Sequence, residues 1–156
     1  MYEKGDCVIC PNGMMATITE TICGASGKAK EYVLQSGNIT WHVFAGEQGI
    51  IRKVVSKDEM LEILSRIPYI RTIQAPNNKI RAEFYEEAME AYDEVEWIKV
   101  IKTVYIRGGE QKLAPGEEAY AQKAKKFFYG EVSILLDIPE NEVEAYITHA
   151  IEEGLW

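Results

Sequence analysis

The stretch VVSKDEM, residues 54–60, marks the point where the chain changes from strand patterns to helix patterns. Ser56 and Glu59 have the spacing of a capping box, in which the serine accepts a hydrogen bond from an early helix amide and the glutamate reaches back to another. Before this stretch, short β-branched segments alternate with turns. After it, apolar residues recur at helical spacing. The sequence therefore predicts two domains, residues 1–55 and residues 56–156.

Four segments of the first domain have strand character, and turn formers separate them. Within residues 14–22 the alternation places Ala16, Ile18 and Ile22 on one face and the threonines 17, 19 and 21 on the other. Four or five strands at spacings of about ten residues are typical of a small, strongly bent sheet or barrel. The predicted strands are residues 7–10, 14–22, 31–34 and 39–44.

The second domain carries the apolar stripes of about five helices. The first helix runs from Ser56 to Pro68, residues 69–78 form a loop, and Gly108-Gly109 ends the third helix. Pro115 and Pro139 suit the first turns of the last two helices, where a missing amide costs nothing. The fold class is therefore α+β. The predicted stripes are Ile80, Phe84, Ala88 and Ala91, then Ile98, Ile101 and Val104/Tyr105, then Ala121, Ala124, Phe128, Val132 and Leu135, and finally Val143, Ile147, Ala150 and Ile151.

Charge is distributed unevenly along the 156 residues, whose net charge is −8. Residues 1–56 are neutral, whereas residues 57–156 hold 12 basic and 20 acidic side chains. An acidic domain repels nucleic acid at long range, so any contact with DNA requires a local basic patch. No leader sequence and no apolar run of membrane-spanning length is visible, so we expect a cytoplasmic protein that does not enter a membrane.

Catalytic and metal-binding patterns are sparse. Cys7, Cys10, Cys23 and His42 offer a zinc site, but the strand pattern places Cys7 and Cys10 on opposite faces. No phosphate-binding glycine motif is present, and acidic pairs such as Glu86-Glu87 are typical of solvated helix faces. We expect no cofactor, no metal and no catalysis. A metal- or thiol-dependent enzyme that uses those three cysteines and that histidine remains the alternative from a different class.

Several segments, taken in order, resemble the CarD-like bacterial transcription regulators. The opening GDCVICPNG (5–13), the strand EYVL (31–34) and the segment GIIRKVVS (49–56) are similar to that family's first domain. The helix VIKTVYIR (100–107) is similar to a helix of its second domain, where LAPGE (113–117), KAK (123–125) and GEV (130–132) follow in the family's order and spacing. The resemblance covers essentially the whole chain.

This resemblance implies a Tudor-like, SH3-like β-barrel that binds the RNA polymerase β subunit, a module shared with transcription-repair coupling factors. It also implies a helical domain that contacts promoter DNA and stabilises the open complex without catalysing a reaction. We expect the fourth strand to contact polymerase, since small β modules commonly add a strand to a partner's sheet edge. The residues expected in this contact are Thr40, Trp41, His42 and Val43.

Two positions differ from the pattern of the family. Asn78 stands where family members carry a tryptophan that acts as a minor-groove wedge in DNA. His42 stands where an arginine contacts the polymerase β subunit. The acidic domain makes DNA binding weak and dependent on polymerase. An interaction module that never touches DNA is therefore the alternative function. The candidate DNA-binding residues are Asn78, Lys79, Arg81, Lys123, Lys125 and Lys126.

Overall fold

The computed structural model describes residues 2–154 and divides the chain into two compact units, with the division between Val55 and Ser56. The first unit is a five-stranded antiparallel sheet, and the second is all-helical. The predicted α+β class, with a β domain followed by a helical domain, is confirmed. Among residues 2–154, no helix combines the length and the apolar character that crossing a bilayer requires.

The sheet has the strand order β4-β3-β2-β1-β5, so β4 and β5 are its two edges. Hairpins join the first four strands in sequence order, as expected from the turn formers between them, whereas β5 pairs with β1. Gly37 has a φ of 59°, which a two-residue hairpin with glycine at its first position requires. The strands are β1 (Cys7–Ile9), β2 (Met15–Cys23), β3 (Ala29–Ser36), β4 (Ile39–Phe44) and β5 (Arg52–Lys53).

One apolar core lies against a single face of this sheet and holds the strands together. Side chains from the first four strands meet there, and Tyr2, Trp41 and Ile50 pack against its border. The contributing residues alternate along each strand, and Ile9, Met15 and Val33 are buried on the opposite face. The buried members of this core are Val8, Cys10, Ala16, Ile18, Tyr32, Leu34 and Val43.

A β-bulge in β2 changes the face on which the residues after it lie, and the sequence did not predict this bulge. The register with β3 shifts between Ile18 and Glu20, and beyond it Thr21 is opposite Tyr32 while Ile22 is opposite Glu31. An extra residue exchanges the two faces of the strand that follows it. Thr21 therefore shares the face of the core residue Tyr32, and the placement of Ile22 on the face of Ile18 was wrong.

Five α-helices form the second unit, and a side-chain cap begins each of the first three. Ser56 accepts a hydrogen bond from the Glu59 amide at 3.1 Å, and its hydroxyl donates to the Glu59 carboxylate at 3.1 Å. A 3₁₀ turn, Ile67–Tyr69, follows the first helix and contains Pro68. The helices are α1 (Lys57–Arg66), α2 (Asn78–Glu90), α3 (Glu94–Gly109), α4 (Glu117–Leu136) and α5 (Glu140–Glu153).

Burial confirms the stripe predicted for α5 and contradicts half of the one predicted for α2. All four predicted α5 residues are buried, including Val143 and Ile147. In α2 the buried residues are Tyr85, Ala88 and Met89, whereas Phe84 is 37% exposed and Ala91 is also exposed. The burial of Tyr85 could not be predicted, because a buried hydroxyl requires a hydrogen-bond partner. That partner is Glu117, which lies on a different helix.

The Glu117 carboxylate joins α2, α3 and the start of α4. It accepts hydrogen bonds from the Tyr85 hydroxyl at 2.7 Å, from Arg107 Nη2 at 2.7 Å and from the Ala114 amide at 3.0 Å. Arg107 Nη2 also donates to the Lys112 carbonyl at 2.7 Å. Burial alone would raise the pKa of Glu117, but these donors outweigh it and lower the pKa to about 2.

Replacing Glu117 by Gln should remove part of the protein's stability at neutral pH, because the folded state binds the ionised carboxylate. Its pKa is about 2 in the fold against an ordinary 4.5. The contribution, about 3 kcal/mol, is fully present above pH 4.5 and disappears as the pH falls towards 2. Thermal unfolding of parent and Glu117→Gln at several pH values measures it.

The adjacent Glu118 provides the matched control for this prediction, since its side chain is exposed. Glu118→Gln should unfold with the parent's midpoint at each pH, because exposed substitutions usually change stability by less than about 0.5 kcal/mol. If Glu117→Gln and parent differed by the same amount at pH 2 and pH 7, the ionised carboxylate would not be the source of the stability.

Candidate functional site

The backbone of β4 has one paired edge and one free edge. Its only neighbour in the sheet is β3, with Ser36 opposite Ile39 next to the hairpin. The Ala45 amide donates to the Lys30 carbonyl at 3.0 Å, so the alternation of hydrogen-bonded residues continues to the end of β4. Since paired and unpaired residues alternate in an antiparallel ladder, the amides of Thr40, His42 and Phe44 point away from β3. Within residues 2–154, no strand pairs with this edge.

The four residues predicted to contact polymerase divide between the two faces of β4. Thr40 and His42 are exposed, whereas Val43 is 7% exposed and belongs to the sheet's core. Trp41 is half-buried and packs against the same core. The structure therefore makes Val43 a core residue and Trp41 a residue of the core's border, and it leaves two side chains directed to solvent.

Two exposed apolar residues at the ends of β4 were missed by the sequence reasoning. Ile39 is 56% exposed and Phe44 is 50% exposed, and both lie on the strand that has a free edge. The signal was present, since Phe44 shares the alternation of Thr40 and His42. It could not be used, because the alternation alone does not show which face of β4 is covered and which faces solvent.

A shallow apolar notch of about 430 Å³ lies beside the first half of β4. Trp41 forms one side of it, and the approach of the chain at Gly49 forms another. A Cβ at Gly49 would lie 2.6 Å from Val43 Cγ1, so only glycine allows this approach. The notch is large enough for one apolar side chain, and its lining includes Pro11, Met14 and Ile39.

A histidine–carboxylate pair lies on the outer face of β4. His42 Nδ1 contacts the Glu31 carboxylate on β3, and the His42 side chain is 53% exposed. Glu31 lies directly opposite Phe44 in the register, so the pair is close to the exposed ring. The outer face of this edge therefore offers an imidazole, a carboxylate and an aromatic ring.

Among the candidate DNA-binding residues near the start of α2, Arg81 and Asn78 form hydrogen bonds within the fold. Arg81 donates to the Asn78 side chain at 2.7 Å and to the Ala75 carbonyl at 3.3 Å, and its Nε is buried. Asn78 is exposed at the first position of α2, and Lys79 next to it is exposed as well. Arg81 therefore fixes the entry to α2, and Lys79 is the more accessible cation.

The three candidate lysines of α4 form a separate group. Lys125 donates to Glu144 of α5 at 3.1 Å, whereas Lys123 and Lys126 are exposed. Contacts between Tyr85 and Glu117 and between Tyr92 and Phe127 show that α2 and α4 run parallel. Lys79 and Lys126 are therefore about 15–20 Å apart along the helix axes. The structure does not bring the two groups of cations together.

The cysteines and His42 do not converge. Cys10 belongs to the sheet's core, where burial raises the pKa of its thiol to about 11. Cys7 is opposite Thr17 near one end of β2, and Cys23 is at the other end, about 20 Å away along the strand. No group of three or more metal-binding side chains occurs in the part of the chain that the structure describes.

Comparison with known protein families identifies the helical unit. The family model for the CarD C-terminal domain matches residues 59–148, which is more than half of the chain. The chain belongs to the CarD family. No curated protein matches it.

Membership in the CarD family confirms the resemblance that the sequence motifs indicated. It makes this chain a transcription-associated protein of a regulatory family, with a partner in the transcription machinery. The matched residues 59–148 contain the Tyr85–Glu117–Arg107 network and both groups of candidate cations. The free β4 edge lies outside the match, in the unit that the motifs of residues 5–56 describe.

The two faces of β4 should respond differently to substitution. Val43→Ala removes two methyl groups from the core and should lower the free energy of unfolding of the β unit by about 2 kcal/mol. Phe44→Ala truncates an exposed ring and should change it by less than about 0.5 kcal/mol. Chemical denaturation followed by circular dichroism measures both changes. A larger loss in Phe44→Ala than in Val43→Ala would contradict this assignment of faces.

Proposed function

We propose that this CarD family member binds the β subunit of RNA polymerase through its β unit and changes the stability of the promoter open complex. The free edge of β4 is the observation that carries the proposal. It presents the backbone amides of Thr40, His42 and Phe44 in strand conformation. A partner strand that pairs there extends the sheet, which is a recurring mode of peptide recognition.

The side chains around β4 support the same surface. Strand addition gives affinity through the main chain and specificity through pockets for alternate side chains. The notch next to Trp41 suits one apolar side chain of the added strand, and the exposed ring of Phe44 suits a second contact on the outer face. Exposed apolar residues on a sheet edge promote aggregation, so a protein that keeps Ile39 and Phe44 there benefits from a partner that covers them.

Regulation then follows from differential binding and needs no catalytic step. A protein that contacts the melted promoter complex more favourably than the closed one shifts the equilibrium between them. A difference of about 1.4 kcal/mol changes that ratio tenfold, so a few contacts beyond the docking surface are sufficient. No cofactor takes part in this proposal.

A pure interaction module is the second candidate function. It is favoured by the separation of Lys79 from the lysines of α4 and by the ion pair between Lys125 and Glu144. Such a protein would dock on polymerase and act through contacts with other proteins. Its promoter effect would then be insensitive to changes in the basic residues of the helical unit.

Thr40→Pro tests strand addition directly. The Thr40 amide points to the free edge, so proline removes a donor that the folded unit does not use, and edge strands tolerate this change. The variant should keep the parent's circular dichroism and lose at least tenfold in affinity for immobilised β subunit, because the added strand loses a hydrogen bond and meets the proline ring.

Two further variants complete this test. Thr40→Ala removes the side chain, keeps the amide, and should bind the β subunit as the parent does. Trp41→Pro should unfold the hairpin, since the Trp41 amide faces β3. Undiminished capture of the β subunit by folded Thr40→Pro would reject docking through this edge.

A further inference from the structure

A groove of about 780 Å³ lies between α3, α4 and α5. Its floor is apolar, since Val104, Ala121 and Ile151 line it and each is at most 6% exposed. The end of α3 leaves room there, because Gly108 and Gly109 carry no side chains. Sites for small molecules typically have volumes of about 300–1,000 Å³ and combine an apolar lining with a few polar groups. The groove therefore has the size and the floor of such a site.

Two hydrogen bonds between helices hold the walls of this groove. The Tyr105 hydroxyl on α3 donates to Glu152 of α5 at 2.7 Å. The Lys125 ammonium on α4 donates to Glu144 of α5 at 3.1 Å. Because α5 is thereby tied to both other helices, the groove is formed before a ligand arrives, and this lowers the entropy that is lost on binding.

One nearly buried polar group at the groove lacks a partner. Tyr129 lines the groove and is 6% exposed, yet its hydroxyl makes no hydrogen bond with any of residues 2–154. Burial raises the pKa of this hydroxyl, and the nearby carboxylate of Glu144 raises it further, so the group is protonated at neutral pH and can donate. Since buried polar groups are normally hydrogen-bonded, an acceptor on a ligand would supply what the fold does not.

A smaller and more polar hollow of about 410 Å³ adjoins the groove at this tyrosine. Gln122, Lys125 and Tyr129 line both spaces, so these three side chains mark the junction. A ligand at the junction meets apolar surface on one side and polar surface of balanced charge on the other. The other residues that line the smaller hollow are Lys126, Glu140, Asn141 and Glu144.

Charges along the groove disfavour a ligand with a negative charge. Glu110 pairs with Lys112 at 2.8 Å, and the Lys125 ammonium is already paired with Glu144. Glu118 lines the groove and is exposed, and no cation within the described part of the chain pairs with it. A carboxylate or phosphate entering the groove would therefore meet an uncompensated negative charge.

We propose that this groove binds an amphipathic small molecule whose apolar body lies on the floor and whose polar end carries an uncharged amide or similar carbonyl group. The Tyr129 hydroxyl donates to that carbonyl, and the side-chain amide of Gln122 forms a second hydrogen bond with the same polar end. All of these residues belong to the helical unit. Binding is therefore a property of the chain alone and goes beyond the proposed docking through β4.

A pair of probes with one carbon skeleton tests the chemical class of the ligand. 4-Phenylbutanamide carries the uncharged group, and 4-phenylbutanoate carries a negative charge in its place. Titration of the full chain with the amide, followed by NMR, should give saturable shifts of the Ala121 and Tyr129 backbone amides. The dissociation constant should be about 1 mM, as expected for a ligand of about a dozen non-hydrogen atoms. The carboxylate should bind about fivefold more weakly.

Tyr129→Phe removes only the unpaired hydroxyl. Its thermal midpoint should equal or exceed the parent's, because the fold loses no hydrogen bond, while its affinity for the amide probe should fall about fivefold. Tyr146→Phe is the matched control, since this tyrosine of α5 is exposed and lines neither space. The control should bind the amide as the parent does.

A second pair of variants tests the junction at an exposed position, where folding is not at risk. Gln122→Ala should weaken binding of the amide about threefold, whereas Lys123→Ala, at an exposed neighbour that lines neither space, should not change it. Parent-like affinity in both Tyr129→Phe and Gln122→Ala would overturn the inference. So would a carboxylate that binds as tightly as the amide, or an amide that gives no saturable shift at tens of millimolar.

Discussion

The Glu117 carboxylate determines how three of the five helices meet. Its oxygens accept from a tyrosine of α2, an arginine of α3 and an amide of the segment before α4. A carboxylate at 6% exposure is costly unless each oxygen is satisfied, so Tyr85 and Arg107 are constrained to their positions. Gly116, with a φ of 89°, provides the left-handed residue from which α4 begins next to this group. The start of α4 is thereby tied to the middle of α2.

Lys102 plays the corresponding part for the chain between α1 and α2. An ammonium has three donors and no acceptor, and here three carbonyls of one short segment satisfy all of them. Burial lowers the pKa of Lys102, so these carbonyl dipoles offset part of the desolvation cost. Both buried charges join elements that are far apart in sequence. They explain why residues 67–75, which have no α-helix or strand, follow a defined path along α3.

Features that depend on neighbouring residues could be predicted from the sequence. Features that depend on contacts between distant residues could not. The α5 stripe and the Ser56 cap were correct because amphipathic spacing and capping are local. Half of the α2 stripe was wrong, because Phe84 and Ala91 are exposed while Tyr85 is buried through a contact 32 residues away. The bulge in β2 left no recognisable pattern, so Ile22 was placed on the wrong face.

The candidate site shows the same division between local and distant information. Strand character over residues 39–44 was predictable, but the position of β4 at an edge depends on the pairing of all five strands. For this reason Trp41 and Val43 were predicted as contacts although they face the core, and Phe44 was passed over. The lysines of α4 and the cations of α2 were grouped by type, and only the contacts between α2 and α4 reveal their separation.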